Sequence, residues 1–215
     1  YSPHLNLYAY QDSTLQEDVP YVLDELPSQE LINDKVVGGY NFKDNNNNFM
    51  DDNGHGTHVA STIAGNPPNG ILKGVAPDAK IYAYKVCNSS GQCTSSAITA
   101  AIEASMDPDN TGNFDNPLDV INISLGGAGD PESTYSKDYI DAAIEVGVTV
   151  VASAGNSGPA GNTNCWHPDY FDGVSHSICC PSCIEGVISV AASTSDGTSW
   201  WWDEENDPSV PGVDG

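Results

Sequence analysis

The apolar positions of the chain fall into two alternating kinds of pattern. Lys35-Val36-Val37-Gly38-Gly39-Tyr40-Asn41-Phe42 and Lys80-Ile81-Tyr82-Ala83-Tyr84-Lys85-Val86 are short, β-branched or aromatic runs with strand character. Leu118 to Leu125, Val148 to Ala152 and Val187 to Ala192 are nearly continuous apolar runs, as in strands buried on both faces. Between them the spacing changes. Ala97, Ile98, Ala101, Ile102 and Met106 recur at helical intervals across Ser95–Met106, and Tyr135–Val146 behaves likewise. Val59 and Ile63, with alanines between them, predict a helix after Gly54, and Gly74-Val75-Ala76-Pro77 predicts a turn. Strand and helix alternate, so the expected fold class is α/β, a three-layer αβα arrangement around a mostly parallel sheet. In such sheets functional side chains gather in the loops beyond the strands' carboxyl ends.

Residues 1–34 break this pattern with prolines at 3, 20 and 27 and read as surface loops. Residues 199–215 break it again, with three consecutive tryptophans followed by acidic residues and prolines, as an irregular tail. The whole, 215 residues without internal repeats, suits one domain.

Charge narrows the partners. Thirty acidic residues against six basic ones give a formal net charge of −24, which disfavours nucleic acid and anionic membranes as partners. Six cysteines favour an oxidising, extracellular compartment. Cys87 and Cys93 flank a short polar stretch and can close a disulfide loop; Cys165, Cys179, Cys180 and Cys183 can form two more bridges, in a connectivity left open. The rival reading is a zinc site combining Cys180 and Cys183 with Cys165, His167 or His176. Asn88-Ser89-Ser90 is an N-glycosylation sequon in a polar loop.

The candidate chemistry starts at Asn53-Gly54-His55-Gly56-Thr57-His58-Val59-Ala60. His55 sits at a loop-to-helix junction, where an imidazole can face a cleft and act as a general base; otherwise it is a cap or a surface residue. A hundred residues on, the strand at Val148 runs into Ser153-Ala154-Gly155-Asn156-Ser157-Gly158-Pro159. Together, in this order, the two stretches resemble the His and oxyanion motifs of the subtilisin-like serine proteases. The resemblance implies a subtilisin-like fold and serine endopeptidase activity, with His55 as general base and Asn156 donating to the oxyanion of the transition state. Ser124-Leu125-Gly126 resembles the family's substrate-pairing strand, and Gly126 with Ser153, Ala154 and Gly155 would border the main specificity pocket.

Just before the His motif, Asp44, Asn46 and Asn48, with Asp51 or Asp52, space oxygen ligands as a hard cation requires. Many subtilases carry a structural calcium loop here, so calcium is the expected cofactor. The alternative is a flexible polar loop.

The triad is incomplete by this reading. Tyr1-Ser2-Pro3-His4-Leu5 resembles sequence lying just after the family's Asp motif, and Asp12-Ser13 is the weaker substitute inside the chain. Gly197-Thr198-Ser199-Trp200 imitates the start of the Ser motif, but it follows residues 187–192 too closely and its tryptophans do not suit a close-packed helix. The expectation is therefore the central portion of a secreted subtilisin-like peptidase, inactive by itself. Its partners would be peptide or protein substrates, with further segments of the same precursor or like subunits completing it. The alternative is a catalytically inactive, peptide-binding scaffold of the same fold.

Overall fold

A computed structural model of the chain describes residues 31–67, 73–132, 134–156 and 178–192. Asp12 and Ser199, together with Cys165, His167 and His176, lie outside the described residues.

Five strands and three helices appear in the order expected. They are β1 (Val36–Asn41), α1 (His55–Ala64), β2 (Ile81–Lys85), α2 (Ser95–Met106), β3 (Val120–Ile123), α3 (Lys137–Glu145), β4 (Thr149–Ser153) and β5 (Ile188–Val190). Every strand pairing is parallel. A parallel neighbour requires a crossover connection, which α1 supplies between β1 and β2 and α3 between β3 and β4. The α/β, parallel-sheet architecture is thus present. One detail differs from a single sheet: the described strands form a pair, β1-β2, and a trio, β3-β4-β5.

One core serves both groups. Val36, Tyr40, Ile81, Ala83 and Tyr84 from the pair join Ile121, Ile123, Val150 and Ala152 from the trio in a continuous buried cluster. Helix α2 lays Ala97, Ile98, Ala101, Ile102 and Met106 into it, the stripe that its spacing predicts. The Tyr84 hydroxyl donates to the Ala104 carbonyl at 3.1 Å, tying β2 to that helix. Helix α3 buries Ile140 and Ala143 and packs on α2 and β4. Leu31, within the stretch read as surface loops, is also buried in this core.

The trio departs from the expectation of strands buried on both faces. Ile121, Ile123, Val150 and Ala152 point into the core, whereas Val120, Ile188 and Val190 on the opposite face are each half exposed. Side chains alternate along a strand, so β3 and β4 bury one face, whereas all three residues of β5 are exposed. Among the described residues no helix is long and apolar enough to cross a membrane.

Candidate active site

Three loops that follow strand carboxyl ends carry the candidate chemistry. The first leaves β1 at Asn41 and delivers His55 as the first residue of α1. Its geometry depends on Asp51. One carboxylate oxygen of Asp51 accepts from the backbone N–H groups of Asn53 (2.8 Å) and Gly54 (2.9 Å). The other accepts from Thr57, both N–H (3.0 Å) and hydroxyl (2.7 Å). An unpaired N–H in a helix's first turn needs such an acceptor, and a carboxylate there also meets the positive end of the helix dipole. Burial alone would raise the Asp51 pKa. The bonds from Gly54, Asn53 and Thr57 outweigh it and hold the carboxyl well below the usual carboxylate range.

Gly54 turns the chain into the helix with φ +98°, the left-handed region that a side chain disfavours. Behind it α1 buries Gly56, Ala60 and Ala64, one small residue per turn, so the helix is gripped by the core while His55 stays exposed. The His55 ring makes no hydrogen bond among the described residues; its backbone N–H donates to Asn53 Oδ1 at 3.3 Å.

His55 borders a cavity of about 280 Å³. Its other walls are Asp51, Asp52 and Asn53, the β2 end at Lys85, the hairpin of Cys87, Asn88, Gly91 and Cys93, and, after β3, Ser124 and Leu125. The structure therefore brings together the His motif and the start of the expected substrate strand. Gly126, Ser153, Ala154, Gly155 and Asn156 are not part of that lining. Ser153 ends β4 beside β3, and Asn156 follows it as an exposed residue after Gly155, whose φ is +96°.

Residues 178–180 connect these two strand ends. Gly127 and Cys180 exchange two backbone hydrogen bonds, each 3.0 Å, and the Cys179 N–H donates to the Ala154 carbonyl at 2.9 Å. A Cβ on Gly126 would lie 2.9 Å from both the Cys179 Cβ and the Cys180 carbonyl oxygen, so only glycine permits this approach.

Cys87–Cys93 is a disulfide, as the flanking cysteines suggested, and Cys180–Cys183 is a second. Cys179 is also disulfide-bonded. The zinc alternative loses two of its ligands, because Cys180 and Cys183 hold each other.

Sequence reasoning missed the Cys87–Cys93 hairpin as a cleft wall, and with it Lys85 and Asn53. Lys85 is buried at 6 % exposure and pairs with Asp52. A charge between Tyr84 and Val86 at the end of an otherwise apolar strand was the signal available. Asn53 Nδ2 donates to the Ser89 carbonyl at 3.0 Å, joining the His55 loop to the hairpin.

The expected cation ligands lie on one loop, and their side-chain oxygens accept hydrogen bonds within it. Asp44 accepts from Asn41 Nδ2 at 3.1 Å, Asn46 Oδ1 from the Asn48 N–H at 2.8 Å, and Asn48 Oδ1 from the Met50 N–H at 3.3 Å. Among the described residues no three His, Cys, Asp or Glu side chains are placed to hold a metal ion. Asn47 Oδ1, in the same loop, is buried without a hydrogen-bond donor among the described residues.

Comparison with known proteins places this geometry. The Peptidase S8 model, described as the subtilase family, matches residues 12–209. Subtilisin DY of Bacillus licheniformis is 46% identical over 142 residues, which are 65% of this chain and 48% of that protein. Subtilisin E of Bacillus subtilis (strain 168) is 43% identical over 131 residues, 60% of this chain and 32% of that protein. The minor extracellular protease Epr of the same organism is 34% identical over 123 residues, 57% of this chain and 18% of that protein. The chain thus spans half or less of the length of these relatives. With the family match running through nearly all of it, and with parallel strands and helices in the expected order, the chain belongs to the subtilase family.

Proposed function

We propose that the complete gene product is a subtilisin-like serine endopeptidase in which this chain supplies the general base, the oxyanion donor and part of the substrate cleft. The observation that carries the reading is the position of His55, exposed at the first residue of α1 and bordering a cavity that Ser124 and Leu125 also line. His55 would take the proton of a serine hydroxyl as it attacks the peptide carbonyl and return it to the leaving amine. Asn156, on the loop after β4, would donate its side-chain amide to the carbonyl oxygen as negative charge develops there. A donor of this kind accelerates the reaction because it acts on charge that exists only in the transition state. Ser124, Leu125 and Gly126 would pair with an extended peptide, and Ser153, Ala154 and Gly155 would face its side chain. Asp12 and Ser199 remain the only acid and nucleophile candidates taken from this chain.

Calcium is proposed as a structural ion on the 44–48 loop. The buried, unpaired oxygen of Asn47 supports an oxygen-seeking guest there, with Asp44, Asn46 and Asn48 as companion ligands. Asp51 fits less well, since both its oxygens already serve α1. The relative described as an extracellular protease and the disulfides support a secreted location.

The experiment is peptide hydrolysis by the complete gene product and its Asn156→Ala variant. Removal of one such donor in a subtilisin costs on the order of 10²–10³ in kcat, and a comparable loss is expected here. Hydrolysis unaffected by Asn156→Ala would remove that residue from the mechanism, and absence of hydrolysis in the folded protein would favour the inactive scaffold.

A further inference from the structure

Asn53 ties two walls of the cavity together. Its Nδ2 donates to the Ser89 carbonyl at 3.0 Å and its Oδ1 accepts from the His55 N–H at 3.3 Å. The residue is exposed, and it is followed by Gly54, where a Cβ would meet nothing within 4 Å. Asparagine before glycine is the pairing in which the next backbone nitrogen most easily reaches the side-chain carboxamide carbon, because no side chain hinders its approach. Two native contacts oppose that attack. The Gly54 N–H is held by Asp51 Oδ1 at 2.9 Å, and the carboxamide is held toward Ser89. The second restraint depends on the hairpin staying in place, which the Cys87–Cys93 disulfide ensures by closing it at its base.

We propose that Asn53 is a deamidation site restrained by the Cys87–Cys93 hairpin, and that its conversion releases the hairpin from the His55 loop. The Gly54 nitrogen loses its proton and bonds to Asn53 Cγ; the Cγ–Nδ2 bond breaks and the nitrogen leaves as ammonia, giving a five-membered succinimide. Water then opens the ring. Cleavage at Cγ gives aspartate, and cleavage at the main-chain carbonyl carbon gives isoaspartate; solvent water is the only co-reactant. Both products lack the Nδ2 donor that the Ser89 carbonyl accepts from, and aspartate sets a carboxylate oxygen against that carbonyl oxygen in its place. Isoaspartate also inserts a methylene into the main chain two residues before His55.

The test is independent of peptidase activity. The disulfide-intact protein and a Cys87→Ser/Cys93→Ser variant are incubated in mildly alkaline buffer, and aspartate and isoaspartate at position 53 are counted by peptide mapping. Several-fold faster conversion in the double variant, with equal rates once both are denatured, is expected; equal native rates would overturn the restraint. The second arm uses Asn53→Asp with the disulfide intact, and so does not depend on the double variant folding. A small thiol should reduce Cys87–Cys93 several-fold faster in Asn53→Asp than in the parent. An unchanged reduction rate would overturn the release.

Discussion

Asp51 and Thr57 meet twice, the carboxylate accepting from the threonine N–H at 3.0 Å and from its hydroxyl at 2.7 Å, and this pair sets where α1 begins. His55 lies between them in sequence, so its position depends on the Asp51 carboxylate. Asp51→Ala should lower stability by about 1–2 kcal/mol, the usual cost of a lost helix cap, read as a fall in Tm. The pH dependence has a definite sign. The folded-state pKa of Asp51 lies below its unfolded value, so its stabilisation is present above the ordinary carboxylate range and lost as pH falls through that range toward the depressed value. Thermal melts at descending pH should show a shallower acid-side fall for Asp51→Ala than for the parent. An identical slope would place the acid sensitivity elsewhere.

The Cys87–Cys93 disulfide closes a loop with a sequence separation of six. A crosslink of this length restricts the unfolded chain modestly, by roughly 2 kcal/mol. Its replacement by two serines should lower the unfolding free energy by about that amount, read from a denaturant titration as a lower midpoint. The larger effect should be local: under the proposed peptidase activity, KM for peptide substrates should rise more than kcat falls, because the hairpin lines the cavity that His55 borders. Equal loss of both would mean that the hairpin also orients His55.

Gly126 stands where a methyl group would collide with the Cys179 Cβ and the Cys180 carbonyl. The 178–180 segment is held on both sides by backbone hydrogen bonds, so neither wall can yield cheaply. Gly126→Ala should cost about 1–3 kcal/mol, as for other overpacked positions, and should weaken peptide binding by displacing the strand end after β3. Calorimetric binding of a substrate-like peptide beside a thermal melt would separate the two effects.

These results show what the pattern of residues could and could not convey. Helix α2 runs Ser95–Met106, the range its apolar spacing predicts, because that stripe is its buried face. The order of elements along the chain and the parallel pairing followed from their alternation. The half-exposed Val120, Ile188 and Val190 did not follow, since an apolar run by itself implies two covered faces. At the site, His55 was legible because glycines and a helical run frame it. The partners of Asp51 were not: a carboxylate among asparagines reads as a cation ligand, and only the backbone geometry reveals four donors converging on it. Lys85, Asn53 and the hairpin joined the site through contacts across 33 to 36 residues, which no local pattern encodes.

Calcium should stabilise the protein if the 44–48 loop takes it. Saturating the ion at a hundred times its dissociation constant would add about 2.7 kcal/mol, and chelation should lower Tm accordingly. Asp44→Ala should abolish the difference between calcium-loaded and chelated samples. A difference that survives Asp44→Ala would move the ion to another site.

The central claim is that His55 activates a nucleophile in the cleft it borders. The most direct measurement is labelling of the folded, complete gene product by a serine-directed fluorophosphonate, beside its His55→Ala variant. Rapid labelling of the parent and a loss of at least a thousandfold in the labelling rate of His55→Ala are predicted, on the order of the effect of removing a triad member. A parent that stays unlabelled while folded and calcium-loaded, or a variant that labels as fast as the parent, would contradict the account.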